Sequence, residues 1–361
     1  VGSQKSKKNK EFTVTMSAYR LSRRTMIAGS AVAGASAVAG VSLFGKAVMA
    51  QDSTPVPYEA PENIGDLSGS FEADGSSTLG PLTEAAIEEF AAIAPEVQIT
   101  NGISGTGGGF ERFAKGEIAI SNASRPINEE ETAAAAAAGV AWYKFDVAYD
   151  GITVVVSAEN DFVESLTVEE LASIWAADGG VVNWSDVNPD WPAEPIELYG
   201  PGTASGTYDY FNEEILGETA PRTDYTPSED DNVLVQGVTG SPYALGYFGF
   251  SYYEENADSL KAIAIDAGNG SVTPSIESIS DLSYAPLGRV LYIYVAASAL
   301  QLPEVAEFVK FYVATADELA PSVGYIPLPG QAEFDQQVKL NGAIDGSVAP
   351  DSDAPAATPA A

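Results

Sequence analysis

The sequence predicts an α/β protein of roughly two domains, and three observations carry that reading. The chain has 361 residues, 45% of them apolar, enough to bury a sizeable core. Short apolar runs alternate along it with stretches of helical spacing, the mark of strands followed by helices rather than of a bundle or a sandwich. Three of the strand-to-helix junctions repeat one chemistry, small hydroxyl residues and glycines where a helix begins.

At the first junction Leu67 to Ala73 reads as a strand, and Asp74-Gly75-Ser76-Ser77-Thr78 leads into Leu82, Ala86, Ile87 and Phe90 at helical spacing. At the second, Val97-Gln98-Ile99-Thr100 leads through Gly102 and Ser104-Gly105-Thr106-Gly107-Gly108-Gly109 to a short helix around Phe110 and Phe113. At the third, Ile196-Glu197-Leu198-Tyr199 leads through Gly200-Pro201-Gly202-Thr203-Ala204-Ser205-Gly206-Thr207 to Tyr210, Phe211 and Ile215. A helix start leaves backbone N–H groups unpaired at the positive end of the macrodipole. Glycine lets a ligand approach that backbone closely, and Ser or Thr adds an O–H donor without a charge. One such junction is what N-capping alone would produce. Three in one chain, two of them denser in glycine than capping requires, point to an anion. A fourth segment, Ile118-Ala119-Ile120-Ser121-Asn122-Ala123-Ser124-Arg125-Pro126-Ile127, places Arg125 just after a predicted strand. Its guanidinium suits a bidentate hold on an oxyanion, or a surface ion pair, which an acidic chain offers readily.

Two missing residue types exclude whole classes of function. With no Cys and no His, disulfides, the usual zinc and haem sites, and Ser-His-Asp or Cys-His nucleophilic mechanisms drop out. Formal net charge is −34 and unevenly spread, since residues 1–50 hold eight of the 17 bases and one of the 51 acids, leaving nine bases against 50 acids. Such a surface has no basic patch for nucleic acid and reads as a solvated acidic face. An anion must then be caught by local dipoles rather than by overall attraction. The glycines at 105–109 lack the Lys-Ser or Lys-Thr pair of a nucleotide loop. Asp186, Asn188, Asp190 and Glu197 imitate a calcium loop, but Trp191 sits where that loop needs Gly, and Pro189, Pro192 and Pro195 restrict the backbone. No metal or other cofactor is expected.

Ser22-Arg23-Arg24-Thr25-Met26-Ile27 precedes an apolar, small-residue run to Phe44, and Val48-Met49-Ala50 closes it. This reads as a signal peptide cut near Ala50–Gln51, with paired arginines like those of a twin-arginine signal, so export to the periplasm or cell surface is expected. An uncleaved membrane anchor is the alternative reading of the same run. Residues 51–65 and 345–361 are rich in Pro, Ala, Ser and Asp and are expected to be mobile tails.

Taken in order, Gly75-Ser76-Ser77-Thr78, Gly105-Thr106-Gly107-Gly108-Gly109-Phe110, Ile120-Ser121-Asn122-Ala123-Ser124-Arg125-Pro126-Ile127, Asn183-Trp184-Ser185-Asp186 and Gly200-Pro201-Gly202-Thr203-Ala204-Ser205-Gly206-Thr207 resemble the phosphate-binding proteins of ABC transporters. The resemblance runs from about Leu67 to Pro329. It implies a type II periplasmic-binding-protein fold, two α/β lobes joined by two crossing segments, which closes on inorganic phosphate or a similar oxyanion and presents it to a membrane permease. It also implies the site: Ser77 and Thr78 from the first loop, Thr106 from the second, Ser124 and Arg125 from the fourth segment, and Ser205, Gly206 and Thr207 from the third loop. Two positions depart from the pattern. Ser124 stands where some members carry a carboxylate that accepts the proton of hydrogen phosphate, and Pro201 stands where some carry an Arg. Arg125 is the resemblance's replacement for the missing charge, and Asp74 is either a substitute acceptor or a turn-stabilising residue.

On that fold, residues 66–150 and 271–344 make the first lobe and residues 151–270 the second. Ile152-Thr153-Val154-Val155-Val156 opens the second lobe once the chain has left the first at 146–151, and it returns around 268–285. Arg289 to Val295 then reads as a buried strand, and a helix over 303–315 finishes the first lobe. The aromatic runs Tyr247-Phe248-Gly249-Phe250 and Tyr292-Ile293-Tyr294 read as core. The reading is of a monomeric, non-catalytic binding module. An exported phosphatase with a recruited metal, and a surface sensor or adhesin on the same scaffold, stay open as alternatives.

Overall fold

The structure, a computed structural model, describes residues 54–353; the expected signal segment and the end of the C-terminal tail lie outside the described residues. In chain order come β1 (Ser68–Gly75), α1 (Gly80–Ala91), β2 (Glu96–Asn101), α2 (Gly105–Ala114), β3 (Ile120–Ala123), α3 (Glu129–Ala138) and the long β4 (Trp142–Ser157). There follow β5 (Ser165–Thr167), α4 (Val168–Trp175), α5 (Trp184–Val187), β6 (Glu197–Gly200), α6 (Gly206–Phe211) with a π-turn over Asn212–Leu216, β7 (Thr226–Pro227), α7 (Asp231–Thr239), β8 (Ala244–Gly249) and α8 (Phe250–Glu255). The chain closes with β9 (Leu260–Ala262), β10 (Ala264–Asp266), β11 (Ser271–Val272), α9 (Ile276–Ser280), β12 (Gly288–Ala296), α10 (Pro303–Leu319), β13 (Ile326–Pro327) and α11 (Gly330–Asp345).

The main sheet runs β2-β1-β3-β12-β4-β8-β6-β7, with β13 and β9 also pairing with β4. Its spine is β4. From Trp142 to Gly151 this strand pairs antiparallel with β12, and from Ile152 to Val156 with β8. The sequence predicted a strand only from Ile152, because Asp146, Asp150 and Gly151 interrupt the apolar run. The ladder to β12 on one side and to β13 on the other carries the strand through those residues. One strand therefore serves both halves of the molecule, and β12, entered at Gly288 opposite Gly151, is the returning one.

Each half has its own core. In the first, Ala73, Phe145 and Ile293 of the sheet pack against Leu82, Ala86 and Phe90 of α1 and Phe308 and Tyr312 of α10. The opposite face of that sheet is covered by Phe110 and Phe113 of α2, against Trp142 and Tyr294. In the second, Trp175, Trp184, Phe211 and Tyr247 enclose Ile152 and Val154, with the Phe211 and Tyr247 rings stacked at 3.9 Å. The helices begin where local chemistry dictates. Pro81 opens α1, and α3 starts on an Asn128–Glu131 capping box and stops at Gly139, whose φ is 73°.

The segments expected to be mobile are packed where the structure describes them. Gln337 clasps the backbone of Val56 from both sides, accepting its N–H at 2.8 Å and donating to its carbonyl at 3.1 Å. At the other end Asp351 accepts from the Lys144 N–H and from Lys339 Nζ, both at 2.7 Å. Tyr58, Ile64 and Val348 add apolar contacts to the first core, but these are isolated residues with no periodicity, so composition gave no sign of the anchoring. Among the described residues no helix is long and apolar enough to cross a membrane, and no group of three acidic side chains is placed to hold a metal ion. Asp186 instead caps α5, its Oδ2 accepting the Val182 and Asn183 N–H groups at 3.0 and 2.7 Å.

Candidate anion-binding site

The first loop is seated by Gly75. Its φ is 137°, and a Cβ there would lie 2.2 Å from the Asn122 carbonyl oxygen, so only glycine lets β1 end against β3. Asp74 locks the turn: Oδ1 accepts the N–H groups of Gly75 and Ser104 at 2.7 and 3.0 Å, and Oδ2 accepts Arg112 Nη1 at 2.5 Å. Burial works to raise the Asp74 pKa, but the bonds from Arg112, Ser104 and Gly75 outweigh it and hold the carboxylate below its usual range. Asp74 is thus the turn-stabilising ion of the two roles open to it, with both oxygens engaged.

The second loop differs from expectation in being helical, since Gly105 to Gly109 form the first turns of α2 and Ser104 precedes them. Glycine disfavours a helix interior, but close approach to the first loop requires it. A Cβ on Gly109 would lie 2.6 Å from Gly75 Cα. Thr106 Oγ1 meets Ser124 Oγ at 2.9 Å and accepts the Ser124 N–H at 3.2 Å, so the second loop and the fourth segment come together. Arg125 beside them is held bidentately by Glu131, through Nη1 at 2.9 Å and Nη2 at 2.8 Å. That carboxylate raises the Arg125 pKa, and the residue takes the ion-pair form of its two predicted roles.

The third loop belongs to the other lobe and reaches the first. Ser205 caps α6, its Oγ accepting the Thr207 N–H at 3.2 Å. Gly206 lies so close to Thr78 that a Cβ would be 2.7 Å from Thr78 Cα and 2.8 Å from its nitrogen. Ser77 Oγ donates to Asp209 Oδ2 at 3.1 Å across the same gap. Ser77 and Thr78 therefore meet Gly206 and Asp209 in one contact zone between the lobes, with Ser205 and Thr207 on either side of Gly206. Thr106, Ser124 and Arg125 are tied to it through the Asp74–Ser104 and Gly75–Gly109 approaches.

Sequence reasoning missed the cation at the centre of this zone. Arg289, on β12, donates Nε and Nη2 to Asp150 Oδ2 at 3.1 and 3.0 Å, and Nη2 also to Thr78 Oγ1 at 2.7 Å. Its guanidinium lies 3.2 Å from the centroid of the Tyr210 ring on α6. The Arg289 and Asp150 side chains are 10% and 4% exposed, so this is a buried pair at the crossing of the two lobes. The Tyr325 hydroxyl donates to the Thr78 carbonyl from below, and Tyr210 Oη donates to the Pro286 carbonyl at 2.5 Å. The available signal was a lone Arg opening the otherwise apolar Arg289-Val290-Leu291-Tyr292 run, since a charge on a buried strand must be paired. Its partner is 139 residues away, which no local pattern reveals.

This arrangement can be set beside known proteins. A family model for a PBP superfamily domain matches residues 60–316. The chain belongs to the PBP superfamily. Among its relatives there, it is 48% identical over 263 residues to the protein SphX of Synechococcus elongatus, covering 72% of this chain and 78% of that one. It is 39% identical over 291 residues to the phosphate-binding protein PstS of Staphylococcus saprophyticus, covering 80% of this chain and 90% of that one. A crystal structure of a possible phosphate binding protein from Planctomyces limnophilus matches with a TM-score of 0.75 at 47% identity, over 77% of this chain and 99% of the other. The PBP superfamily fold, two α/β lobes joined by crossing segments, is the one the sequence resemblance implied, with β4 and β12 as its crossings.

Proposed function

We propose that this chain is an exported solute-binding protein that captures inorganic phosphate, or an oxyanion of the same shape and charge, between its lobes and presents it to the permease of an ABC importer. The observation that carries this reading is the meeting of Thr78, Gly206 and Arg289, where the Thr78 hydroxyl of one lobe accepts from the buried guanidinium at 2.7 Å and donates to the Gly206 carbonyl of the other at 3.4 Å. Donors of this kind contribute about 1.5–3 kcal/mol each when the partner is charged. Micromolar affinity requires about 8 kcal/mol, so a handful suffices after ordering costs. The relatives named for phosphate binding support the choice of anion.

In this reading Ser77, Thr78, Thr106, Ser124, Ser205, Gly206 and Thr207 supply neutral donors. Arg289 supplies the central charge, and Arg125 stands at the rim. The first lobe comprises residues 66–150 and 271–344 and the second residues 151–270, hinged where Gly151 faces Gly288. Nothing in the arrangement calls for a chemical step, and the protein acts by binding alone. Export rests on the paired arginines and apolar run before Ala50. Titration calorimetry of residues 51–361 with phosphate, arsenate, sulfate and molybdate tests the reading. Heat is expected with phosphate and arsenate, and a chain that responds to none of the four would overturn it.

A further inference from the structure

Ser77 is one of the hydroxyls the first loop brings to the cleft, yet its bond goes to a carboxylate of the opposite lobe, Asp209, at 3.1 Å. Three other carboxylates of this zone are matched with cations, while Glu213 and Glu214, just after α6, act on Arg125 and Arg289 without pairing to them. Asp74 is held by Arg112, Asp150 by Arg289 and Glu131 by Arg125. Asp209, on α6, is different. Among the described residues its carboxylate makes no ion pair, and the Ser77 hydroxyl is its one side-chain hydrogen-bond partner. An ionised carboxylate only accepts hydrogen bonds, as do the unprotonated oxygens of phosphate. Asp209 thus does to Ser77 what a captured anion would do, and it bridges the two lobes in doing so.

Resting on the phosphate reading above, we propose that Asp209 is an internal competitor of the anion. Phosphate entering at Ser77 displaces the Asp209 carboxylate and meets its negative charge, so Asp209 lowers the affinity. When the anion leaves Ser77, the Ser77–Asp209 bond takes its place, which favours release to the transporter over retention. The bond also holds the lobes near each other before capture.

Calorimetry with inorganic phosphate on the mature chain, its Asp209→Asn and Ser77→Ala variants and the double variant tests this, with release rates from stopped-flow. Asn keeps the shape and removes the charge. Asp209→Asn should bind phosphate roughly tenfold more tightly, the fold-change expected when a charge-assisted bond to Ser77 that phosphate must displace becomes a neutral one, and should release it more slowly. Most of that gain should vanish in the Ser77→Ala background, where the contested hydroxyl is gone. Unchanged affinity in Asp209→Asn would make Asp209 an ordinary surface acid, and weaker binding would make it a ligand for the anion's own proton; either overturns the competitor role. A gain undiminished in the Ser77→Ala background would reduce the effect to overall charge, which overturns it as well. A wild-type chain that binds no phosphate fails earlier, on the proposed function itself, and is told apart by that first titration.

Discussion

Replacing Arg289 with Met probes the centre of the site and separates two consequences of one guanidinium. Arg289 makes two bonds to Asp150 and one to Thr78, all between 2.7 and 3.1 Å. Removing a charged partner from a bound oxyanion costs about 1.5–3 kcal/mol, a loss of roughly 10- to 150-fold in affinity. The same change leaves Asp150 as an uncompensated charge that is 4% exposed. Breaking a buried pair from one side destabilises by about 3–5 kcal/mol, so the single variant is expected to lose urea resistance as well. The double variant Arg289→Met/Asp150→Asn removes both charges. It should recover most of the stability, by denaturation midpoint, while its calorimetric affinity for phosphate stays low. A stable double variant that binds phosphate as the wild type does would refute the assignment of Arg289 as the central cation.

Arg125→Ala should weaken phosphate binding less than Arg289→Met. Its guanidinium is engaged by Glu131 and its side chain is 36% exposed, and an exposed pair contributes at most about 1 kcal/mol; a larger calorimetric loss from Arg125 would reverse the ranking. Gly206→Ala places a methyl 2.7 Å from Thr78 Cα, so it should oppose lobe closure by about 1–3 kcal/mol, seen as weaker phosphate binding with an unchanged melting temperature. Glu333 is 4% exposed. Burial, with Asp317 and Glu318 adding to it, pushes its pKa from 4.5 to about 7. A raised carboxyl favours the folded state fully below its unfolded pKa and loses that contribution as pH rises through the folded one. Between pH 4.5 and about 7, wild-type stability should therefore fall by up to about 3 kcal/mol relative to Glu333→Gln, read from urea midpoints across that window.

The helix starts were legible because the residues that make them are contiguous. Asp74 to Thr78 and Ser205 to Thr207 carry their own turn and capping chemistry, through the Asp74, Ser76 and Ser205 side chains. Sequence alone misread the state of Gly105 to Gly109, where propensity argues against a helix and contact with Gly75 overrides it. The length of β4 was hidden for a similar reason, since the polar residues Asp146 and Asp150 are carried by ladders formed with β12 and β13. The Asp150–Arg289 pair depended on the β4–β12 register, which sets those two residues opposite each other. Arg125 drew notice because its motif is local. Arg289, more deeply placed, sits in a strand whose apolar character reads only as core.

Capture of an anion by a chain of net charge −34 becomes intelligible once the charges near the cleft are paired off. Asp74, Glu131 and Asp150 each face an arginine at 3.0 Å or less, so at short range they cancel. In the proposed site the anion would then be held by N–H and O–H dipoles, which need no net charge to favour it. The rest of the acidic surface acts through solvent, where screening over about 10 Å at 0.1 M salt removes most of its field. Its residual repulsion falls on the rate of encounter rather than on the strength of the closed complex. Among the described residues Asp209, Glu213 and Glu214 stay unpaired inside that screening distance, and of these Asp209 is the one bonded to a hydroxyl of the proposed site. It is therefore the acidic residue whose charge the bound anion would feel most directly.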